Sequence, residues 1–109
     1  MPGPSDISLG NAQPTMLLGV TLSPASVANA TSAEQTFAVQ GVLLGDFVSV
    51  NKPTAQAGLG IVGSRISANN VLALTFMNTT SATITPTASQ VYMLKVTRPS
   101  VPTLPPVIQ

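Results

Sequence analysis

Apolar residues recur at every second position in several short stretches of this chain, and that spacing predicts β-strands rather than helices. The clearest stretch covers residues 71–77, where Leu72, Leu74 and Phe76 share one face. Glycines, prolines and asparagines separate the stretches and are typical of turns. The pattern predicts an all-β fold: an antiparallel β-sandwich or barrel of about six to eight short strands, with extended N- and C-terminal arms.

The predicted strands follow one another with short connections. They cover residues 16–22, 35–39, 46–51, 61–67, 71–77 and 90–98, with a further short edge strand expected at 82–85. In the fourth strand, strict alternation places Val62 and Ile66 on one face, with Ile61 and Arg65 on the other, wetter face. In the connection at residues 68–70, asparagine tolerates the positive φ of a tight hairpin.

Several of these strands are apolar on both faces. The first has Leu18 on one face and Leu17 on the other, and the strand at 71–77 adds Val71 and Met77 to the face opposite its core triplet. Such a strand is either central in a sandwich or covered by another subunit. We therefore expect a homo-oligomer.

The two ends of the chain differ from its middle. Residues 1–15, rich in proline and glycine, are expected to form an extended N-terminal arm, and residues 16–98 the β-sandwich domain. Residues 99–109 form a proline-rich C-terminal tail whose apolar residues suggest that it docks on a partner. The pattern leaves open whether the arm straps onto a neighbouring subunit or is a frayed terminus.

Charge is scarce in this chain. Four basic and three acidic residues make up 6% of its 109 residues, and the net charge is +1. Soluble domains usually carry about a quarter charged residues. So few scattered basic residues give no footprint for a phosphate backbone, and we expect no nucleic-acid partner.

The residue types also limit the chemistry. The chain has no cysteine and no histidine, which excludes thiolate nucleophiles, imidazole bases and the usual zinc sites. Its three acids, Asp6, Glu34 and Asp46, are dispersed, and no spacing gathers a catalytic or metal-binding pair. We expect no enzyme activity, no catalytic residue, no cofactor and no metal.

The sequence shows no pattern of a membrane span or a signal peptide. No apolar run has the roughly 20 residues that a membrane span needs, and the first residues lack the basic start and apolar stretch of a signal peptide. We expect synthesis in the cytoplasm and no membrane partner.

A loop is expected after the third strand, at residues 52–60. It opens with Lys52 and Pro53 and closes with Gly58 and Gly60, so it is expected to be exposed and irregular, with both glycines free to take positive φ. These glycines only loosely resemble a phosphate-binding loop, because a strand rather than a helix follows them. Arg65, in that strand, is expected to pair with Asp46 or with a partner's carboxylate.

The run GVLLGDFVSVNKPTAQAGLGIVGSRISANNVLALTFMNTTSATITPTASQVYMLKVTR resembles small structural proteins encoded in the virion gene clusters of tailed bacteriophages. The features GD-V-VNKP, AGLGIV-R-SA-N and L-L-F-N-T carry the resemblance, which covers roughly residues 20–98. It implies a capsid decoration, cement or head-fibre protein on the virion surface. It also implies a homo-oligomer, with a trimer favoured, bound to the major capsid protein lattice.

For the candidate residues, the resemblance implies loop-shaping or contact roles. These residues are Asp46, Asn51, Lys52, Pro53, Gly58 and Gly60, and Arg65 joins them as a candidate partner contact. Two alternatives stay open: a phage tail, baseplate or fibre accessory subunit, and a module that binds a host surface or carbohydrate. The last is weakened because Tyr92 is the only tyrosine and there is no tryptophan, and sugar sites usually stack on such rings.

Overall fold

This computed structural model describes residues 12–99 of the chain. That range contains six antiparallel strands and the connections between them. The strands are β1 (Ala12–Leu22), β2 (Thr31–Ala38), β3 (Phe47–Asn51), β4 (Leu59–Ala68), β5 (Val71–Asn78) and β6 (Gln90–Pro99). No helix occurs within that range. The predicted all-β class is confirmed.

The strands form two three-stranded sheets, in the orders β1-β6-β3 and β2-β5-β4. Leu94 of β6 lies opposite Leu18 of β1 and Val50 of β3, and β5 pairs with β2 and β4 in the same manner. Two separate sheets that share one core define a small β-sandwich rather than a closed barrel. The central strands, β5 and β6, supply the middle of that core.

The core confirms the face predicted for the strand at 71–77, and β6 alternates in the same way. Their inward residues are fully buried: Leu72, Leu74 and Phe76 on β5, and Tyr92, Leu94 and Val96 on β6. Leu22 of β1, Ile66 of β4, and Val27, Val39 and Val42 from the connections complete it. Burying one such side chain stabilises the fold by about 1.5–3 kcal/mol.

The fourth strand corrects one prediction. Ile61 lies opposite Phe76 and packs on the core, whereas Val62 is exposed. The next pair joins Gly63 to Thr75, so Val62 is an extra residue in a β-bulge. One inserted residue reverses the alternation, which is why strict alternation misplaced Ile61 and Val62.

Other boundaries also differ from the prediction. The first strand begins at Ala12, before the predicted start at Met16, and Gly60 belongs to β4 rather than to the preceding loop. Residues 82–85 form no strand; they contribute only an isolated bridge between Ile84 and Val27. Most of the expected tail (99–109) and of the expected arm (1–15), namely residues 100–109 and 1–11, lies outside the described residues. The remaining residues, Pro99 and 12–15, belong to strands β6 and β1.

The two flanks of the sandwich are unequal. At one flank β3 and β4 approach closely, and the Ser64 hydroxyl donates a hydrogen bond to the Val48 carbonyl at 3.2 Å. At the other flank, next to β1, the burial is incomplete: Met16 and Leu18 face inward and pack against the core but remain only half-buried.

The two ends of the sandwich also differ. At one end, called the arm end, β1 begins at Ala12, β6 ends at Pro99, and Asn69 and Asn70 turn the chain between β4 and β5. Asn70 has φ of 65°, as expected for that turn. The opposite end, called the loop end, holds the connections after β3 and β5.

Candidate interaction surfaces

The candidate residues named from the sequence lie in three separate places. Asp46 is at the arm end, immediately before β3, and Arg65 is in the middle of the outer surface of the β2-β5-β4 sheet. The others, Asn51, Lys52, Pro53, Gly58 and Gly60, lie at or next to the loop end. The structure therefore does not join them in one site.

Asp46 forms a two-point ion pair with Arg98 of β6. The Arg98 guanidinium donates from Nε to Oδ1 at 3.0 Å and from Nη2 to Oδ2 at 2.8 Å, and the Asp46 side chain is almost fully buried. Oδ2 also accepts from the backbone N–H of Leu43 at 2.9 Å. The hydrogen bonds from Arg98 hold the pKa of Asp46 below its usual value, against the opposing effect of burial.

This ion pair fixes the connection between β2 and β3, residues 39–46, which we call the leucine loop. The Asn70 side-chain oxygen accepts from Gly41 N–H at 2.9 Å, and that of Asn69 accepts from Leu44 N–H at 3.0 Å. Arg98 Nη2 also donates to the Gly41 carbonyl at 2.8 Å. The loop thereby presents two exposed apolar side chains, Leu43 and Leu44, in a fixed arrangement.

Lys52 organises the loop end. Its ammonium group donates to the Thr54 carbonyl and to Gln56 Oε1, the latter at 2.9 Å, and partial burial lowers its pKa. Gln56 in turn donates to the Thr85 carbonyl at 3.1 Å and accepts from Thr87 N–H at 3.0 Å. Lys52 therefore ties together the loop at residues 54–56, whereas Pro53 is exposed beside it.

The two glycines of this end differ. Gly58 has φ of 80° and packs against Thr80. Gly60 does not have a positive φ and lies in β4 opposite Met77. The positive φ predicted for both glycines is therefore found only at Gly58. Beneath them the fully buried Asn78 donates to the carbonyls of Val27 and Ala82, at 3.0 and 2.8 Å.

Arg65 pairs with Glu34 rather than with Asp46, so the expected pairing is wrong. Arg65 lies on β4 opposite Ala73 of β5, and Glu34 lies on β2, on the far side of β5. The guanidinium donates from Nε to Glu34 Oε2 at 2.8 Å and from Nη2 to Oε1 at 2.9 Å. Its side chain must cross β5 to do so, which accounts for the full burial of Ala73 on an outer surface.

This outer surface of the β2-β5-β4 sheet is called the polar face. Besides the ion pair it presents Ser32, Thr36 and Thr75, and its large exposed apolar side chains within residues 12–99 are Val62 and Met77. The hydrogen bonds from Arg65 lower the pKa of Glu34, but the pair is solvent-exposed and contributes little to stability.

The outer surface of the β1-β6-β3 sheet is called the apolar face. It exposes Leu17, Phe47, Val91 and Met93, of which Leu17 is 71% and Phe47 58% exposed. Lys95 is its one charged residue in the described part of the chain, in a row between Leu17 and Ser49. Leu17, Met93 and Val91 lie near one another, whereas Thr97, Lys95 and Ser49 lie between them and Phe47. Exposed apolar side chains grouped on one surface mark a candidate interaction surface.

A shallow, open depression of about 250 Å³ lies on the apolar face. It is lined by Leu17, Ser49, Val50, Asn51, Met93, Leu94 and Lys95. The row Gly19–Met93–Asn51 crosses it, and a side chain at Gly19 would crowd Val91 Cγ1 and Met93 Sδ. None of the described lining residues is aromatic, so a sugar ring would find no stacking platform here.

Residues 12–99 also lack two other kinds of feature. No three acidic, histidine or cysteine residues of that range come together in a way that could hold a metal ion. Nor does that range include a helix of the length and apolarity required to traverse a bilayer.

Comparison with known proteins finds no relative: no family model, curated protein or solved structure matches this chain.

Sequence reasoning missed two parts of these surfaces. Strand alternation says nothing about the leucine loop, although two adjacent leucines in a connection, Leu43 and Leu44, are a signal of exposed apolar contact. Alternation separates Phe47 from Val48 and Val50, but it does not show that Phe47 joins a larger apolar surface. That recognition requires the strand order, which places β3 and β1 on either side of β6.

Proposed function

We propose that this chain is a non-enzymatic virion structural protein, a decoration or cement protein that binds the head lattice of a tailed bacteriophage as a homo-oligomer, with a trimer favoured. One observation carries the proposal: the two outer surfaces of the sandwich are chemically unequal. The polar face is crossed by the Glu34–Arg65 ion pair, whereas the apolar face exposes Leu17, Phe47 and Met93 around a single lysine. Association would bury the apolar face.

The scarcity of charge supports the same proposal. A monomer with 6% charged residues and an uncovered apolar face is prone to nonspecific association. In an oligomer fixed on a lattice those residues are removed from water, and many modest interfaces together give a large avidity. The leucine loop would supply a second, preorganised contact, because its backbone is held before binding.

The test is binding of the purified protein to heads of its source phage assembled without it, with separated tails in a parallel tube. We expect cosedimentation with heads and a higher temperature of head rupture. Binding to tails alone would support the tail, baseplate or fibre alternative, and binding to neither would remove the proposal.

Matched variants connect that binding to the apolar face. Leu17→Ser with Met93→Ser alters the apolar face, and Val62→Ser with Met77→Ser alters the polar face at exposed apolar positions. Only the first pair should weaken oligomerisation and head binding. Equal loss in both pairs would show that the inequality of the two surfaces is not the cause.

A further inference from the structure

Four strands lie at the edges of the two sheets, and three of them have features that hinder pairing with another chain. β3 has only five residues; β4 carries bulges and Arg65. β2 carries Glu34, and its Gln35 side chain bonds both the N–H and the carbonyl of Ala25, at 2.8 and 3.0 Å. Short length, bulges, charges and covering segments are the usual protections of an edge strand.

β1 is the exception. It has eleven residues with no charge, and beyond Pro14 and the irregular register between Ala12 and Thr15 its pairing with β6 runs regularly to Leu22. Its other edge pairs with no strand of the described range. Next to this edge Met16 and Leu18 face the core but are only half-buried. A long, apolar, unpaired edge accepts an added strand.

We propose that the edge of β1 binds an extended strand formed by residues 5–11 of a second copy of this chain. That segment, SDISLGN, contains no proline, and it alternates so that Ile7 and Leu9 share one face with Asp6 and Ser8 on the other. The segment directly precedes β1 and therefore starts from the arm end. Ile7 and Leu9 cover the half-buried flank at Met16 and Leu18 in this arrangement.

Charge supports the same orientation. With Ile7 and Leu9 turned toward the flank, Asp6 lies on the outer side, on the surface that carries Lys95. Lys95 has no acidic partner among the described residues. In this arrangement β1 lies between the added strand and β6. The long side chain of Lys95 can span that distance and reach Asp6.

The register favours a second copy over the segment's own chain. A turn at residues 10 and 11 would place Leu9 opposite Ala12 and Ser5 opposite Met16, where Pro14 and the irregular register interrupt β1. Segment 5–11 would then reach no farther than Met16 and could not pair with the regular part of β1 at Leu18 and beyond. An arm from another copy can instead lie along the regular part of β1. When each copy donates its arm to the next copy in this way, the copies can close into a ring, and a ring of three is compatible with this as other cyclic rings are.

The absence of cysteine in the chain allows a direct test by disulfide trapping. Full-length Ser8→Cys protein is mixed with Thr15→Cys, Leu17→Cys or Thr21→Cys protein, all outward positions on β1, and oxidised. Directly opposite residues have β-carbons about 4.5–5.5 Å apart, close enough for a disulfide after small adjustment. We expect one β1 position to give a strong linked dimer with Ser8→Cys, and the Thr36→Cys control on the polar face to give none.

Three results would overturn the inference. A doubly substituted chain that links only within itself would place the arm on its own β1. A Leu17→Cys protein that links to itself more readily than to Ser8→Cys would show pairing between two β1 strands. Linking to β1 no stronger than to the Thr36→Cys control would show that the arm lies elsewhere.

A second variant pair measures the same contact without cysteine. Ile7→Ser with Leu9→Ser should reduce the mass in solution to that of the monomer, whereas Val101→Ser with Leu104→Ser in the tail should leave it unchanged. An oligomer that survives loss of Ile7 and Leu9 contradicts the inference. The trapping requires no phage heads, so arm exchange can fail while head binding holds, and head binding can fail while arm exchange holds.

Discussion

The guanidinium of Arg98, near the end of the last strand, clamps the buried carboxylate of Asp46, 52 residues earlier in the chain, through two hydrogen bonds of 3.0 and 2.8 Å. This clamp ties the leucine loop to the β1-β6-β3 sheet. It also places the exposed Leu43 and Leu44 beside the start of β3, where Phe47 begins the apolar face.

Asp46→Asn should lower the free energy of unfolding by about 1–3 kcal/mol at neutral pH, because charge-assisted hydrogen bonds at a buried site are lost. The folded-state pKa of Asp46 is depressed, so its stabilisation is complete above the ordinary aspartate value of 3.8 and is lost as the pH falls through the lower folded value. Denaturant unfolding at neutral pH and below pH 3.8 measures this.

The difference between wild type and Asp46→Asn should therefore shrink in acid. Glu34→Gln is the matched control, since its ion pair with Arg65 is exposed, and it should change stability little at any pH. A difference between wild type and Asp46→Asn that stays constant from neutral pH into acid would contradict the role given to the clamp.

Gly58→Ala should destabilise the loop end for two separable reasons. A β-carbon there would overlap Thr80 Cγ2, which cannot move freely because the Thr80 hydroxyl donates to Asn78 Oδ1 at 2.7 Å, and the φ of 80° is unfavourable for alanine by about 1–2 kcal/mol. Adding Thr80→Ser removes the clashing methyl group and keeps the hydroxyl.

The double variant should therefore recover part of the loss in thermal unfolding, down to the loss caused by φ alone. Gly41→Ala measures the loss caused by a positive φ without a clash. Gly41 has φ of 99°, and no atom lies within 4 Å of the place that a β-carbon would take. No recovery in the double variant would mean that the contact with Thr80 does not limit this position.

Tyr92→Phe should stabilise the protein by about 1 kcal/mol. The Tyr92 hydroxyl is fully buried and has no hydrogen-bond partner in the described part of the chain, and burial raises its pKa. Removing an unsatisfied buried hydroxyl while keeping the ring removes its desolvation penalty. Urea unfolding at neutral pH measures the change, and a loss of stability would show that the hydroxyl has a partner.

The sequence predicted the strands and most of their faces, because alternation with a period of two directly reports which side chains face the core. It failed at Val62, where one inserted residue reverses that alternation without altering composition. It also could not predict the partners of Arg65 and Asp46. Which strands are neighbours decides these pairs, and strand order is set by packing between distant segments.

The candidate surfaces were predictable to a similar extent. The second apolar side of β1, with Leu17, was visible as a two-faced pattern. Its union with Phe47 and Met93 in one apolar face follows from β6 lying between β1 and β3, a relationship that no local pattern contains.

The central claim, that the apolar face is buried by self-association, is tested most directly by the mass of the purified protein in solution, measured by light scattering during size-exclusion chromatography. We expect a discrete oligomer, a trimer by preference, that Leu17→Ser with Met93→Ser converts to monomer and that Val62→Ser with Met77→Ser leaves intact. A wild-type protein that remains monomeric across concentrations, with the apolar face in water, would contradict the claim.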